Sequence, residues 1–497
     1  MSKMMFFNNF ISILPEFFLV VSINIILIYS VIYSTSYFFD YPLLLINSSW
    51  LCIQTLFYTL FLNINNYLYN IVIFNDLVII DYFSVIYKAF IIVASIFIIL
   101  MSLKYNQLEF LNNSEFPIII LLSILGTLLM ISSYDLIVLY LAVELQSFCS
   151  YILASFKRNS EFSTEAGLKY FILGAFSSGF LLFGCSLIYG FTGTTNYKLL
   201  SLLVLNYDCT FSSSSGIIVG SFFILVAFLF KISAAPFHIW SPDVYEGSPT
   251  TVTAFFVIVH KLGLLVFFLR LFFGSFYGIL NFWQIFLTVT CLCSMLIGSF
   301  GAIWQIKLKR LFAFSSIGHI GYILIALCCS SFESVYALIF YSLIYIIMNI
   351  NGFIILLISR KNSSYNRVKY VEDLLTIGKT NPFLGICIVV TFFSIAGIPP
   401  LAGFFSKMFI FFSSISQNMY SLTIVGVLTS VISCFYYLKI IQISYFDKFN
   451  IWFTLIKINK ESAFLISLTS LFLVIFFIHP CFFTMLIYLC IFDLYLL

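Results

Sequence analysis

Charge is what this sequence has least of. Only 8% of its 497 residues are Asp, Glu, Lys or Arg, where an average soluble protein carries about a quarter. With 62% of residues hydrophobic, that scarcity excludes a soluble globular domain. Metal-ligand patterns are also missing. The twelve cysteines are scattered through apolar stretches, as CLC at 291–293 and CC at 328–329, with no C-x-x-C pair or cysteine/histidine cluster at ligand spacing. Zinc and iron–sulfur sites are therefore not expected. No glycine-rich phosphate loop or dinucleotide fingerprint occurs. The sequence predicts no cofactor on this chain.

What is present is a succession of long apolar runs. A hydrocarbon core takes about 20 residues of helix. Fourteen runs of that kind are centred near residues 25, 53, 92, 124, 145, 180, 228, 261, 293, 319, 346, 398, 432 and 475. They are long and lack strict alternation, so the reading is an all-α polytopic membrane protein and not a β-barrel. Lys3 precedes apolar sequence without a small-residue cleavage site, so no removable leader is expected. With fourteen spans the loops fall on two sides, one collecting fifteen basic residues (Lys157, Arg158, Lys307, Lys309 and Arg310 among them) and the other three. The positive-inside rule then turns both termini away from the cytoplasm or matrix. The load of Phe (63) and Tyr (31) resembles the product of an AT-rich genome and hints at an organelle.

The chain divides into an N-terminal three-helix segment (1–110), two five-helix runs (111–278 and 279–446) and a last helix (447–497). Each run has a proline-interrupted helix in fourth place with a lysine near the break: Lys231 before AAPFHIWSP, and Lys407 after AGIPPLAGFFS. Five is odd, so the second run enters from the opposite side, which makes the pair an inverted repeat. Transporters often place broken helices of such repeats at the binding site.

A lysine at a helix centre costs about 2.5–3.5 kcal/mol on insertion scales. Yet Lys88, Lys231, Lys261, Lys407 and Lys439 all fall inside helices, and Glu144 lies midway along the fifth. A carboxylate buried alone would be neutral, and a nearby cation restores its charge. Lys231 is the expected partner of Glu144, either as part of a proton relay or as one structural ion pair. Pro236, Pro242 and Pro249 free backbone groups next to Lys231. At membrane depth such backbone is tolerated inside protein or lining water, so the break predicts a wet, polar pocket; the plainer reading is a kink with a snorkelling lysine. Lys261 follows His260, and a desolvated lysine and a histidine both trade protons near neutrality. His319 stands in the second run where Glu144 stands in the first. His238, His260 and His319 are candidate relays or hydrogen-bonded core residues, and His479 reads as structural. Lys439 is expected near the basic interface and Lys88 to snorkel. Tyrosines and phenylalanines are assigned to packing and interfacial belts.

Four stretches carry a family resemblance: SSYDLIVLYLAVELQSF, PFHIWSPDVYEGSPTTVTAFF, LKRLFAFSSIGHIGY and AGIPPLAGFFSKMFIF. They resemble the antiporter-like membrane subunits of proton-pumping NADH:quinone oxidoreductase, respiratory complex I. The wording PFHIWSPDVYEG is similar to the chain 2/subunit N branch, whereas sister subunits and sodium/proton antiporters read more like PLHxWLPDA. The likeness covers roughly residues 80 to 445.

The resemblance implies fourteen helices with two inverted five-helix repeats, and roles for single residues. Glu144 would modulate Lys231, Lys261 would connect, and Lys407 would lead outward, along a hydrated mid-membrane chain driven by quinone reduction elsewhere. Implied partners are the other membrane-arm subunits, sister antiporter-like subunits included, and membrane lipids; no nucleic acid is expected. The implied location is the mitochondrial inner membrane, with both termini in the intermembrane space. The chain is longer than the shortened animal form, and Phe and Tyr replace smaller residues at many positions. Rival readings are the equivalent subunit of a plastid or bacterial relative, a sodium/proton antiporter subunit without a redox partner, and a non-pumping membrane spacer.

Overall fold

The computed structural model describes residues 9–34, 41–66, 70–109, 111, 113–206, 211–360, 367–375, 377–446, 458–478 and 480–496. His479 lies outside them. Among the described residues, twelve helices are long and apolar enough to cross a membrane. They are α1 (Leu14–Ser34), α2 (Tyr41–Ile64), α3 (Tyr82–Leu108), α4 (Glu115–Ser132), α5 (Leu136–Ala154), α6 (Glu161–Thr192), α7 (Phe211–Ile232), α8 (Thr250–Ser275), α9 (Leu280–Ile303), α10 (Leu308–Cys329), α11 (Phe332–Ile358) and a helix over Tyr420–Tyr445. Before the last of these come two shorter apolar helices, α12 (Pro382–Ala396) and α13 (Ala402–Ser416), so Tyr420–Tyr445 is α14. The expected run near residue 398 is thus a helix broken in two. The run near 475 is likewise two helices, α15 (Lys460–Ile475) and α16 (Cys481–Leu496). Pro480, without an N–H, stands between them.

Local chemistry sets these boundaries. Asp81 caps α3 by accepting from Ser84 N at 2.9 Å, and Ser84 Oγ returns the bond to the cap. Asp135 accepts from Ile137 N at the start of α5. Gly193 (φ 71°) ends α6 and Gly397 (φ 87°) ends α12, both in the left-handed region where glycine is unstrained. Inside the spans, serines and threonines such as Ser95, Ser123 and Thr127 donate back to the carbonyl three residues earlier. Their hydroxyls are thereby satisfied where no water reaches.

The chain forms two compact units. The first comprises residues 1–232, 259–283 and 489–497. In it α6 packs along α7, α4 along α5, α2 along α3, and the Lys261–Phe268 part of α8 against α4. One end is closed by polar loops. A two-stranded hairpin, β1 (Ile71–Ile73) and β2 (Val78–Ile80), pairs Ile71 with Ile80. Leu77 O accepts from Tyr134 N, Asp76 O accepts from Asn196 Nδ2, and Thr195 Oγ1 donates to Asp135. At the same end Arg270 of α8 donates to both carboxylate oxygens of Asp81 at 2.9 Å, both side chains being buried.

The second unit comprises residues 233–258 and 284–488. Here α11 packs against α13 and α15, α12 against α14, the short helix Trp240–Gly247 against α10, and the Thr250–Phe255 turns of α8 against α11.

Candidate functional site

In the first unit, Lys231 occupies the last turn of α7 and is 6% exposed. The helix stops one residue later, where Ser233 takes a positive φ and Pro236 follows. Lys261 (4% exposed) and His260 (3%) sit on α8. This helix is not regular there: residues Phe256–His260 form a π turn that ends at the histidine, and Lys261 begins the next α-helical stretch. Such π segments frequently mark functional positions in helices. Gly263 lets α8 approach α4 closely, since a Cβ there would meet Met130 Cε at 2.6 Å.

Glu144 is half-buried on α5. Its Oε2 accepts from Ser147 Oγ at 3.2 Å, and its Oε1 is buried with no hydrogen-bond partner among the described residues. Among the described residues Glu144 and Lys231 form no ion pair within 4 Å, so the expected contact pair is not made. Glu144, Lys231, His260 and Lys261 all belong to the first unit, without direct contact between Glu144 and Lys231. Gln146, two residues from Glu144, is buried with both amide atoms unpartnered among the described residues.

A second buried ion pair of the first unit, besides Asp81–Arg270, lies elsewhere. Lys88 of α3 is 3% exposed and bonds to Glu16 of α1. It does not snorkel. The expectation rested on its early place in α3 and missed a glutamate 72 residues upstream that faces it.

In the second unit Lys407 (6% exposed) donates from Nζ to the Ala396 carbonyl at 2.7 Å and lies 5.3 Å above the Tyr322 ring. The break between α12 and α13 frees the carbonyl end of α12, and the ammonium occupies it as a cation favoured by the helix dipole. The ring face adds a cation–π attraction. Lys407 also lines an open cavity of about 350 Å³ with Phe404, Phe411, Phe412, Ser430 and Cys434.

His319 on α10 is 5% exposed. Its Nδ1 is 2.5 Å from Tyr341 Oη, its Nε2 is 3.5 Å from Tyr437 Oη, and the Tyr345 ring packs beside it. Tyr322 Oη is 3.4 Å from Thr429 Oγ1. These tyrosines, read from sequence as packing, supply hydroxyls around the histidine. The readable signal was the i, i+4 pair Tyr341/Tyr345 on one face of α11. Asn351, fully buried on the same helix, has both amide atoms unpartnered among the described residues.

Two candidates stand apart. His238 is half-buried in the turn after the first break, and its carbonyl accepts from Ser241 N and Oγ. Lys439 is exposed on α14. No group of three or more His, Cys, Asp or Glu among the described residues is placed to hold a metal ion.

With this geometry in hand, comparison with known proteins is decisive. Residues 133–433 match the family described as NADH:quinone oxidoreductase/Mrp antiporter, TM. The NADH-ubiquinone oxidoreductase chain 2 of Marchantia polymorpha is 47% identical over 485 residues, 96% of this chain and 97% of that one. The chain belongs to the NADH:quinone oxidoreductase/Mrp antiporter family, in its chain 2/subunit N branch. NADH-quinone oxidoreductase subunit N of Pelagibacter ubique is 44% identical, covering 89% of this chain and 90% of its own. The fold is that of a chain in respiratory complex I from Thermus thermophilus, with a TM-score of 0.76 at 24% identity over 94% of this chain and 97% of that one. All four motif stretches that carried the resemblance, apart from one residue, fall inside the family match.

Proposed function

We propose that this chain is a proton-translocating membrane-arm subunit of NADH:ubiquinone oxidoreductase in the mitochondrial inner membrane, with both termini toward the intermembrane space. The observation that carries the reading is the placement of three buried lysines at interruptions of their helices. Lys231 precedes the break after α7, Lys261 follows the π turn of α8, and Lys407 holds the freed end of α12. Backbone irregularity at membrane depth is tolerated where it lines water or is buried in protein. A lysine placed there exchanges protons with its surroundings instead of serving only as packing.

Within the first unit Glu144 sets the proton affinity of Lys231. Approach of a carboxylate favours the ammonium form, and its withdrawal favours release. His260 and Lys261 pass the proton on. In the second unit Lys407 and His319, with the Tyr341 and Tyr437 hydroxyls, are the proton-bearing groups. His238 and Lys439 serve as lesser relays. Moving one charge against about 100 mV costs about 2.3 kcal/mol. One pKa unit corresponds to about 1.4 kcal/mol, so a relay lysine must swing by about two units. Quinone reduction elsewhere in the complex supplies that swing, and this chain holds no cofactor. The two five-helix runs, 111–278 and 279–446, act as inverted repeats. The partners are the other membrane-arm subunits, sister antiporter-like chains and lipid.

Both the orientation and the organelle have support in the sequence: the fifteen-to-three division of basic residues, and near-full-length relatives in a liverwort and in plants that carry the chain 2 name. A second reading, sodium/proton antiport without a redox partner, draws on the Mrp antiporters in the family's description. Activity-stained native gels of mildly solubilised membranes separate the two. Recovery of this chain from a very large band with NADH dehydrogenase activity supports the first reading. Recovery only from smaller, inactive assemblies favours the second.

A further inference from the structure

The relay described above leaves two carboxylates of the first break unused. Asp243 and Glu246 lie on the short helix Trp240–Gly247, inside the excursion 233–258 that belongs to the second unit. In the chain this excursion separates Lys231 from Lys261, both of which belong to the first unit. Both acids meet the start of α10. Arg310 Nη2 donates to Asp243 Oδ1 at 3.1 Å, and its Nε lies 3.3 Å from Glu246 Oε2. Lys307 bonds to the other oxygen of Glu246. Lys309 Nζ donates to the Ser248 carbonyl at 2.6 Å and reaches the Glu246 carbonyl at 3.5 Å, capping the far end of the short helix.

This arrangement is not what α10 would adopt for its own sake. Cations at a helix N-terminus oppose the macrodipole. The N-cap of α10 is Lys307, its first turn holds Lys309 and Arg310, and that turn contains no acid. The carboxylates of the short helix supply the missing negative charge. Half-exposed pairs of this kind add little to folding, so stability alone does not account for three basic groups converging on one eight-residue helix. They fix the place and direction of the short helix.

We infer that Arg310, with Asp243 and Glu246, forms an electrostatic latch that positions segment 233–258, which carries His238, within the second unit for proton transfer. These are positioning residues, and the inference rests on the proton-transfer reading of the chain. The latch holds the segment that carries His238 and follows Lys231, while α10, which supplies the bases, carries His319 nine residues beyond Arg310.

The test is made in the assembled complex in sealed membrane vesicles, comparing wild type, Arg310→Gln, Asp243→Asn and Arg310→Lys, which keeps the positive charge. Lys231→Ala serves as the control. Protons moved per electron are read at equal NADH oxidation, together with the amount of assembled complex. The expected result is normal assembly with a severalfold lower ratio in Arg310→Gln and Asp243→Asn and a ratio near wild type in Arg310→Lys. Should Arg310→Gln reduce assembly, Asp243→Asn carries the test, since Asn keeps the shape of the acid. Normal ratios in assembled Arg310→Gln and Asp243→Asn, with Lys231→Ala impaired, overturn the latch and leave the relay standing. An Arg310→Lys variant no better than Arg310→Gln also overturns it. A normal ratio in Lys231→Ala overturns the relay reading and the latch with it.

Discussion

Lys407 Nζ donates to the Ala396 carbonyl at 2.7 Å, so the ammonium of one half of the broken helix caps the other half. The residue after Ala396 makes this possible. Gly397 has φ 87°, and a Cβ there would meet Lys407 Cδ at 2.9 Å and Nζ at 3.2 Å. Gly397→Ala should therefore displace the ammonium without removing it, and add about 1–2 kcal/mol of backbone strain. The expected outcome is a lower proton-to-electron ratio in a complex that still assembles. Measuring pumping against assembled protein checks it, and an unchanged ratio would contradict the role given to the cap.

Tyr341→Phe removes one hydroxyl beside His319 and keeps the ring. The lost bond to Nδ1, 2.5 Å in the structure, is of a kind worth about 0.5–1.5 kcal/mol net. Thermal stability should fall by little, whereas pumping should fall clearly. A variant whose stability and pumping decline in proportion would indicate that His319 only packs.

The Glu16–Lys88 pair joins α1 to α3 inside the first unit. Glu16→Gln leaves a buried ammonium without its charge partner, which costs about 3–5 kcal/mol. The double variant Glu16→Leu/Lys88→Met removes both charges and should be close to neutral, as apolar replacements of buried pairs often are. The amount of complex on a native gel reads both. A double variant as deficient as the single one would show that the pair does more than hold two helices.

Asp81 gives a pH prediction at the polar end of the first unit. Burial pushes its carboxyl up, but the Arg270 guanidinium and the Ser84 hydrogen bonds outweigh burial and hold it below its ordinary value. A carboxylate depressed in the folded state contributes stability above its unfolded value, near pH 3.9. That contribution is lost as pH falls through the folded value. Hydrogen exchange of segments 70–81 and 269–283 should stay slow from neutrality to about pH 4 and quicken only below. Exchange that already quickens at pH 6 would show that the Asp81–Arg270 pair does not hold this end together.

The membrane class, the helix runs and the two breaks were legible because each is a local property: length, apolarity, and prolines at fixed places. Lys231, Lys261 and Lys407 could be singled out for the same reason, since a charge within an apolar run is visible without knowing its neighbours. Partners across long stretches of chain were not legible. Lys88 reads as a snorkelling base until the fold brings Glu16 of α1 beside it. The hydroxyls around His319 come from α11 and α14, and a tyrosine in an apolar helix looks alike whether it packs or donates. Glu144 and Lys231 were paired by chemical logic, and among the described residues no ion pair within 4 Å joins them.

The central claim is that protons pass through the buried lysines. The most direct measurement is proton translocation by the complex carrying Lys231→Ala in sealed vesicles, normalised to assembled protein and to NADH oxidation with an artificial acceptor. Assembly and acceptor reduction should be normal while protons moved per electron fall well below wild type. Normal pumping in the fully assembled variant would contradict the relay.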